Sequence, residues 1–194
     1  FIKNVPHGLG KEYYSNNKLI YEGDYVDGLR QGLGTLYDDN GVLKYEGDFV
    51  NGLREGKGIG YFEGNKEYEG DFVDGNWNGK GIEYFEGIKI YEGDIVNGLR
   101  EGKGIEYFEG GMTYEGDFVN GLREGKGKLY FEGSMTYKGD FVNGLREGKG
   151  IDYYEDGDKL YEGDFVDGNW NGKGIEYFEG NKTYEGDYVN GERK

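Results

Sequence analysis

Residues 91–113 read YEGDIVNGLREGKGIEYFEGGMT, and this stretch decides the fold. Its first six residues alternate by face. Tyr91, Gly93 and Ile95 fall on one side and Glu92, Asp94 and Val96 on the other, which predicts a short strand. Asn97-Gly98 predicts a turn, because both residues tolerate positive φ. The connection is expected to run to about Gly102, longer than a two-residue hairpin. Lys103 to Phe108 predicts a second strand, since Ile, Tyr and Phe favour the pleated state. Glu109-Gly110-Gly111 then turns the chain onward. One unit is thus a β-hairpin of about six residues per strand.

The same pattern recurs along the chain. Tyr-Xaa-Gly-Asp opens at Tyr21, Tyr45, Tyr68, Tyr91, Tyr114, Tyr137, Tyr161 and Tyr184, spaced by 23 or 24 residues. A fixed period of this size marks stacked units, each too small to bury its own apolar face. The array divides into a partial repeat at 1–20, seven full repeats at 21–183 and a partial repeat at 184–194. Gly8 and Gly10 align with Gly32 and Gly34. Both ends break off inside a unit without a polar cap, so the chain is expected to be a section of a longer protein or to have its ends covered. The fold class is all-β: an elongated, twisted, single-layer antiparallel sheet of tandem hairpins, roughly sixteen strands in number, coiled by about 20° per strand. Its core is expected to be rows of Tyr, Phe, Leu, Ile and Val. No amphipathic helix is expected, because interior glycines at this density each cost a helix roughly 1 kcal/mol.

Two details refine the unit. The glycine two places after each Tyr, such as Gly23 or Gly116, has two readings. It leaves room for a ring of the adjacent strand to lie flat, or it marks a bulge. The second turn gains a residue after Tyr37 (Asp38-Asp39-Asn40-Gly41) and after Tyr154 (Glu155-Asp156-Gly157-Asp158), which places it at the solvent edge.

Composition narrows the function. The 194 residues carry a formal net charge of -16, 41 glycines, one proline and no cysteine. The acidity opposes nucleic acid and anionic lipid, both of which need a basic surface. Aromatics at 17% oppose disorder. Without cysteine there is no disulfide framework and no thiol metal site. No apolar run is long enough to span a membrane as a helix. The lack of cysteine leads to the expectation of a cytoplasmic protein.

At this point Tyr114 to Gly127, YEGDFVNGLREGKG, resembles the MORN (membrane occupation and recognition nexus) repeat. The resemblance covers essentially the whole chain in residue type, glycine spacing and period. His7-Gly8, Trp77 and Trp170 fit variants of that family. Ile95, Lys138 and Val5-Pro6 depart from its pattern. The resemblance implies a groove-forming sheet and a scaffold role, as in cilia, parasite cytoskeletons and membrane junctions, or beside appended enzymatic domains. It further implies partners such as a helix or peptide in the groove, or homo- or hetero-association through the array ends.

The candidate partner-binding groove comprises Tyr21, Tyr25, Tyr45, Phe49, Tyr68, Phe72, Trp77, Tyr91, Tyr114, Phe118, Tyr137, Phe141, Tyr161, Phe165, Trp170, Tyr184 and Tyr188. Aromatic side chains give large, rigid contact area, but they are also the material of a one-layer core. Trp77 and Trp170 interrupt the Leu-Arg pattern of otherwise similar turns, either as contact points or as tolerated variants. The acidic rows, such as Glu22/Asp24 and Glu46/Asp48, read as a cation or basic-partner rail or, preferably, as a solvated face that keeps the sheet soluble. Asp156-Gly157-Asp158 looks like a calcium loop but lacks its spacing. Gly56-Lys57-Gly58 looks like a phosphate loop, yet it recurs in every unit and precedes a strand. The single histidine, His7, lies at a broken end. No catalytic, metal or cofactor site is expected, because so regular a sequence offers no convergent cluster. The leading expectation is a non-catalytic scaffold that docks partner proteins, in a ciliary or other cytoskeletal assembly. Its alternatives are a membrane tether recognising lipid head groups and a regulatory array beside an enzyme domain.

Overall fold

The computed structural model describes residues 5–194; the first four residues of the partial repeat at 1–20 lie outside the described residues. The chain forms two compact units, residues 1–99 and 100–194. In the first, β1 (Gly8–Tyr13), β2 (Leu19–Val26), β3 (Leu29–Tyr37), β4 (Leu43–Val50), β5 (Leu53–Phe62), β6 (Asn65–Val73), β7 (Asn76–Phe85) and β8 (Ile88–Val96) follow one another. Each pairs antiparallel with the next. The second unit takes all of β9 (Leu99–Tyr107) except Leu99. It continues through β10 (Met112–Val119), β11 (Leu122–Phe131), β12 (Ser134–Val142), β13 (Leu145–Tyr153), β14 (Lys159–Val166), β15 (Asn169–Phe178), β16 (Asn181–Val189) and β17 (Glu192–Arg193). Its strands also meander antiparallel. Both units are single-layer sheets of tandem hairpins, as the period predicts.

The hairpins are tighter than the sequence reading has them. The expected connection from Asn97 to Gly102 ends at Gly98, and β9 begins at Leu99. Asn120 and Gly121 show why, with φ of 49° and 83°. Two successive positive φ angles make the primed turn whose twist matches that of its strands. From β2 to β16 the strands accordingly run to eight, nine or ten residues rather than about six, while β1 has six and β17 two. The Leu-Arg-Glu-Gly segment is strand, and its glycine absorbs a bulge. Opposite Gly116-Asp117 the register jumps from Gly127 to Glu124, and Gly125 between them has φ 65°. The turns after Tyr37 and Tyr154 are wider, and Asp39 to Gly41 and Glu155 to Asp158 are exposed. There the Asp38 and Asp156 carboxylates accept backbone N–H groups of Asn40 and Asp158.

The core is narrower in composition than expected. It consists of the tyrosine and phenylalanine rows with Ile95. The hairpin-mouth valines and leucines lie outside it: Val26 is 44% and Leu29 48% exposed. Parity is the reason. Val26 stands two places after Asp24, so it shares the face of the acidic residues.

Candidate functional site

Tyr21, Tyr45, Tyr68, Tyr114, Tyr137 and Tyr161 each sit in a socket assembled from three directions. The floor is glycine. In the first unit Gly10, Gly23, Gly34, Gly47, Gly58, Gly70, Gly81 and Gly93 pair in succession across the strands. In the second, Gly104, Gly116, Gly127, Gly139, Gly150, Gly163, Gly174 and Gly186 do the same. The tyrosine ring lies over one such pair. A Cβ on Gly127 would fall 2.3 Å from Cε2 of Tyr114, and one on Gly116 2.3 Å from its Oη. The bulge reading of the glycine therefore holds, and the ring-space reading is corrected in one respect: the ring over Gly116 is that of Tyr114 on its own strand, and only the partner glycine, Gly127, takes a ring from the adjacent strand. The bulge begins at Gly116.

The walls are aromatic. Tyr45 meets Phe49 of its own strand at 5.2 Å and Phe72 of the next repeat at 4.9 Å, both edge to face. Tyr137 meets Phe141 and Phe165 likewise, at 5.4 and 5.1 Å. Such pairs contribute about 1 kcal/mol each beyond burial alone. The phenol tip is satisfied within its own strand. Tyr68 Oη donates to the Asp71 carbonyl at 3.0 Å, and Tyr45, Tyr91, Tyr114, Tyr137 and Tyr161 repeat the bond. Burial pushes the phenols of Tyr21, Tyr45, Tyr68 and Tyr161 up to about 12.

Within each unit the lid is the residue nine places after the tyrosine. Arg30 lies over Tyr21 at 4.8 Å, Arg54 over Tyr45 at 5.7 Å, Arg146 over Tyr137 at 5.2 Å and Arg193 over Tyr184 at 4.6 Å. Trp77 and Trp170 occupy the same place and stack flat on Tyr68 and Tyr161, at 4.5 and 4.3 Å. The tryptophans thus replace the guanidinium lid.

The aromatic rows of the candidate groove are consequently core in this structure. Tyr21, Tyr45, Tyr68, Tyr91, Tyr114, Tyr137, Tyr161, Phe49, Phe72, Phe118, Phe141, Phe165 and Tyr188 are at most 1% exposed, and Tyr25 is 7%. Trp77, Trp170 and Tyr184 are half-buried. Beside the lid on the tyrosine face stands a third set that sequence reasoning passed over, half-buried at Leu36, Glu83, Glu106, Leu129 and Glu176 and buried at Gly60 and Asp152. Within the units, fifteen places after the tyrosine stands the residue paired with it across the strand: Leu36, Gly60, Glu83, Leu129, Asp152 and Glu176, while Glu12 and Glu106 pair with Tyr21 and Tyr114 from the strand before. Everything beneath repeats, but this position does not. Its signal in the sequence is that variation inside an otherwise fixed unit.

Several of these variable residues engage the lid. Glu12 accepts from Arg30 at 2.7 Å and from Tyr25 Oη. Glu106 pairs with Arg100 at 2.6 Å and with Arg123 at 3.8 Å. Glu176 binds Arg193 and the Tyr188 hydroxyl, and Arg193 holds its carboxyl below the usual range. Asp152, 8% exposed, accepts from Arg146 at 2.8 Å and from the Trp170 indole at 2.6 Å. Burial raises its pKa, and both donors oppose the rise.

The opposite face carries the acidic rows. Lys57, Lys80, Lys103, Lys149 and Lys173 pair with Asp71, Asp94, Asp117, Asp164 and Asp187 of the following repeat at 2.5 to 2.8 Å, and Lys126 pairs with Asp140. The lysines hold Asp71 and Asp164 below the ordinary carboxylate range. Among the described residues no group of three or more His, Asp or Glu could hold a metal ion. His7 lies 3.9 Å from Asp27 at the start of β1.

Comparison with curated proteins finds no matching relative. The family description MORN repeat matches residues 1–18, 21–42, 45–59, 68–87, 91–113, 114–135, 137–159, 161–182 and 184–194. Nine tandem matches cover nearly every residue, and each tyrosine socket falls within them: the chain belongs to the MORN-repeat family.

Proposed function

We propose that this array is a non-catalytic scaffold that docks a protein partner on its tyrosine face. The observation that carries the reading is the division of labour inside the repeat. Glycine floor, tyrosine, phenylalanine wall and Arg or Trp lid recur, whereas the residue fifteen places after the tyrosine changes from acid to leucine to glycine. A fixed frame with one variable row, half-buried at Leu36, Glu83, Glu106, Leu129 and Glu176, suits recognition, because specificity needs differences that a uniform surface lacks. The buried aromatics hold the frame, and Trp77, Trp170 and the arginines offer contact area of the kind enriched at interfaces. MORN-repeat chains are in general interaction modules, which supports the non-catalytic reading. We place the protein in the cytoplasm, on a ciliary or other cytoskeletal assembly, on the strength of the family resemblance and the net charge of -16.

The test is affinity capture with the wild-type array and with a variant carrying Trp77→Ser, Trp170→Ser and Arg54→Gln. Circular dichroism first establishes that the variant is folded. Partners lost by the variant support the tyrosine face, and partners retained in full refute it. Flotation with anionic vesicles at physiological salt decides the tethering alternative. Co-flotation would favour lipid head groups over protein, against the electrostatic expectation.

A further inference from the structure

The two units hold near-copies of one local arrangement, which differ beside the indole, where Tyr188 of the second stands for Ile95 of the first, and between the donors. In the second unit Arg146 reaches the Gly168 carbonyl at 2.5 Å and lies 5.1 Å from the Phe165 ring, and Trp170 stacks on Tyr161. In the first unit Arg54 reaches the Gly75 carbonyl at 2.6 Å and lies 5.3 Å from Phe72, and Trp77 stacks on Tyr68. The strand registers agree as well. Asp152 stands between Tyr137 and Tyr161, and Gly60 stands between Tyr45 and Tyr68. Asp152 joins the two donors of its copy, one oxygen to Arg146 and the other to the Trp170 indole. Gly60 brings no side chain to the same place.

The donors of the first copy are left with spare capacity. Among the described residues Arg54 is the one arginine without a carboxylate: Arg30, Arg100, Arg123, Arg146 and Arg193 all have ion pairs. The equivalent position on the strand before it, which supplies Glu12 to Arg30, holds Leu36. Trp77 Nε1 has no acceptor among the described residues. An Arg-plus-indole pair presents fixed N–H donors and a positive charge at a half-buried site, where charge-assisted bonds are strongest. The space is also real. A Cβ built on Gly60 comes no closer than 3.8 Å to any atom, with Phe72 and the Trp77 Nε1 as its nearest neighbours.

We propose that Arg54 and Trp77, over Gly60, form a receptor for one carboxylate supplied by an Asp or Glu side chain of a partner protein. Asp152 shows the bound geometry within the same chain: one oxygen on the guanidinium Nη1, the other on the indole Nε1. The assignment of the carboxylate to a protein rests on the docking reading above. The net charge of -16 adds a constraint on that partner. Its segment around the acid is neutral or basic, since a strongly acidic one would be repelled over the Debye length of about 10 Å.

The chain has only two tryptophans, so its indole N–H groups give two resolvable signals in a proton–nitrogen correlation spectrum. The probe is N-acetyl-aspartate N-methylamide, with the asparagine analogue as the neutral control. The expected result is a saturable shift of the Trp77 signal by the aspartate probe alone, with Trp170 unmoved. Gly60→Asp, whose added side chain has room, should abolish that response and move the Trp77 signal toward the position of Trp170. An unmoved Trp77, equal shifts at both indoles, or a response that survives in Gly60→Asp would overturn the site. The docking reading is judged separately, by the affinity capture. Probe binding without a captured protein would leave the carboxylate site standing and remove its protein source.

Discussion

The ring of Tyr68 lies directly on Gly81, so closely that a Cβ there would sit 2.2 Å from its Cε2. That contact explains how a single sheet builds a core without a second layer. The backbone of the paired glycines takes the place of the missing sheet, and the Trp77 indole closes the other side at 4.5 Å. Gly81→Ala leaves backbone conformation permissible yet drives a methyl group into the ring. Overpacking of this kind costs about 3 kcal/mol. Gly121→Ala is the contrasting case, with open space around it but φ of 83°. It should cost about 1 to 2 kcal/mol, from the left-handed conformation alone. Urea unfolding of both variants gives the comparison, and equal losses would contradict the ring-on-glycine account.

Arg146 and Arg54 have the same rings and the same carbonyl bond, but only Arg146 has a carboxylate. Both substitutions remove the donor to a glycine carbonyl, but Arg146→Met also strands the buried Asp152 with one donor, whereas Arg54→Met strands no carboxylate. The first substitution should therefore destabilise by about 2 kcal/mol more than the second. Thermal unfolding of the two variants measures the difference.

Alkaline pH should unfold the array through its tyrosines. In the unfolded chain they ionise near 10.0, while in the sockets Tyr21, Tyr45, Tyr68 and Tyr161 hold their protons to about 12. The unfolded state thus binds fewer protons between those values. Stability is full below pH 10, falls as pH rises and is lost through pH 12. Phenolate absorbance should appear together with loss of the strand signal in circular dichroism. A melting temperature that stays flat to pH 12 would contradict the burial of the phenols.

The lysine–aspartate ladder should matter little to stability. Lys149 is 69% exposed in its pair with Asp164. Exposed pairs contribute at most about 1 kcal/mol and are screened by salt. Lys149→Met should therefore lower the melting temperature only slightly, and less still in molar salt. Its acid-side effect has a definite sign. Lys149 depresses the Asp164 pKa, so the pair's contribution is present above the ordinary value of 3.8 and is lost as pH falls through the lowered one. Acid titration of wild type against the variant reads this out.

Much of the unit is legible in its residues. The alternation Tyr91, Gly93, Ile95 against Glu92, Asp94, Val96 gives the two faces directly, since the side-chain period of a strand is two. Asn97-Gly98 gives the turn. The length of that turn is misjudged because Leu-Arg-Glu-Gly carries two polar residues and a glycine and so resembles loop. Only pairing against the preceding strand reveals that Arg123 of the same segment is a strand residue and Gly125 part of a bulge. Val96 and Leu99 look like core by composition, and only the face they occupy excludes them.

The candidate site divides along the same line. By itself the sequence determined the family, the hairpin repeat, the glycine positions and the list of aromatic residues, because all of these are local or periodic. The tertiary structure alone decided which aromatics are sealed, that within each unit the position nine after the tyrosine is a lid, and that Gly60 answers to Asp152. Those are relations between strands. Arg54, Gly60 and Trp77 are unremarkable apart in the chain, and antiparallel register is the physical agent that brings a guanidinium and an indole over one bare glycine.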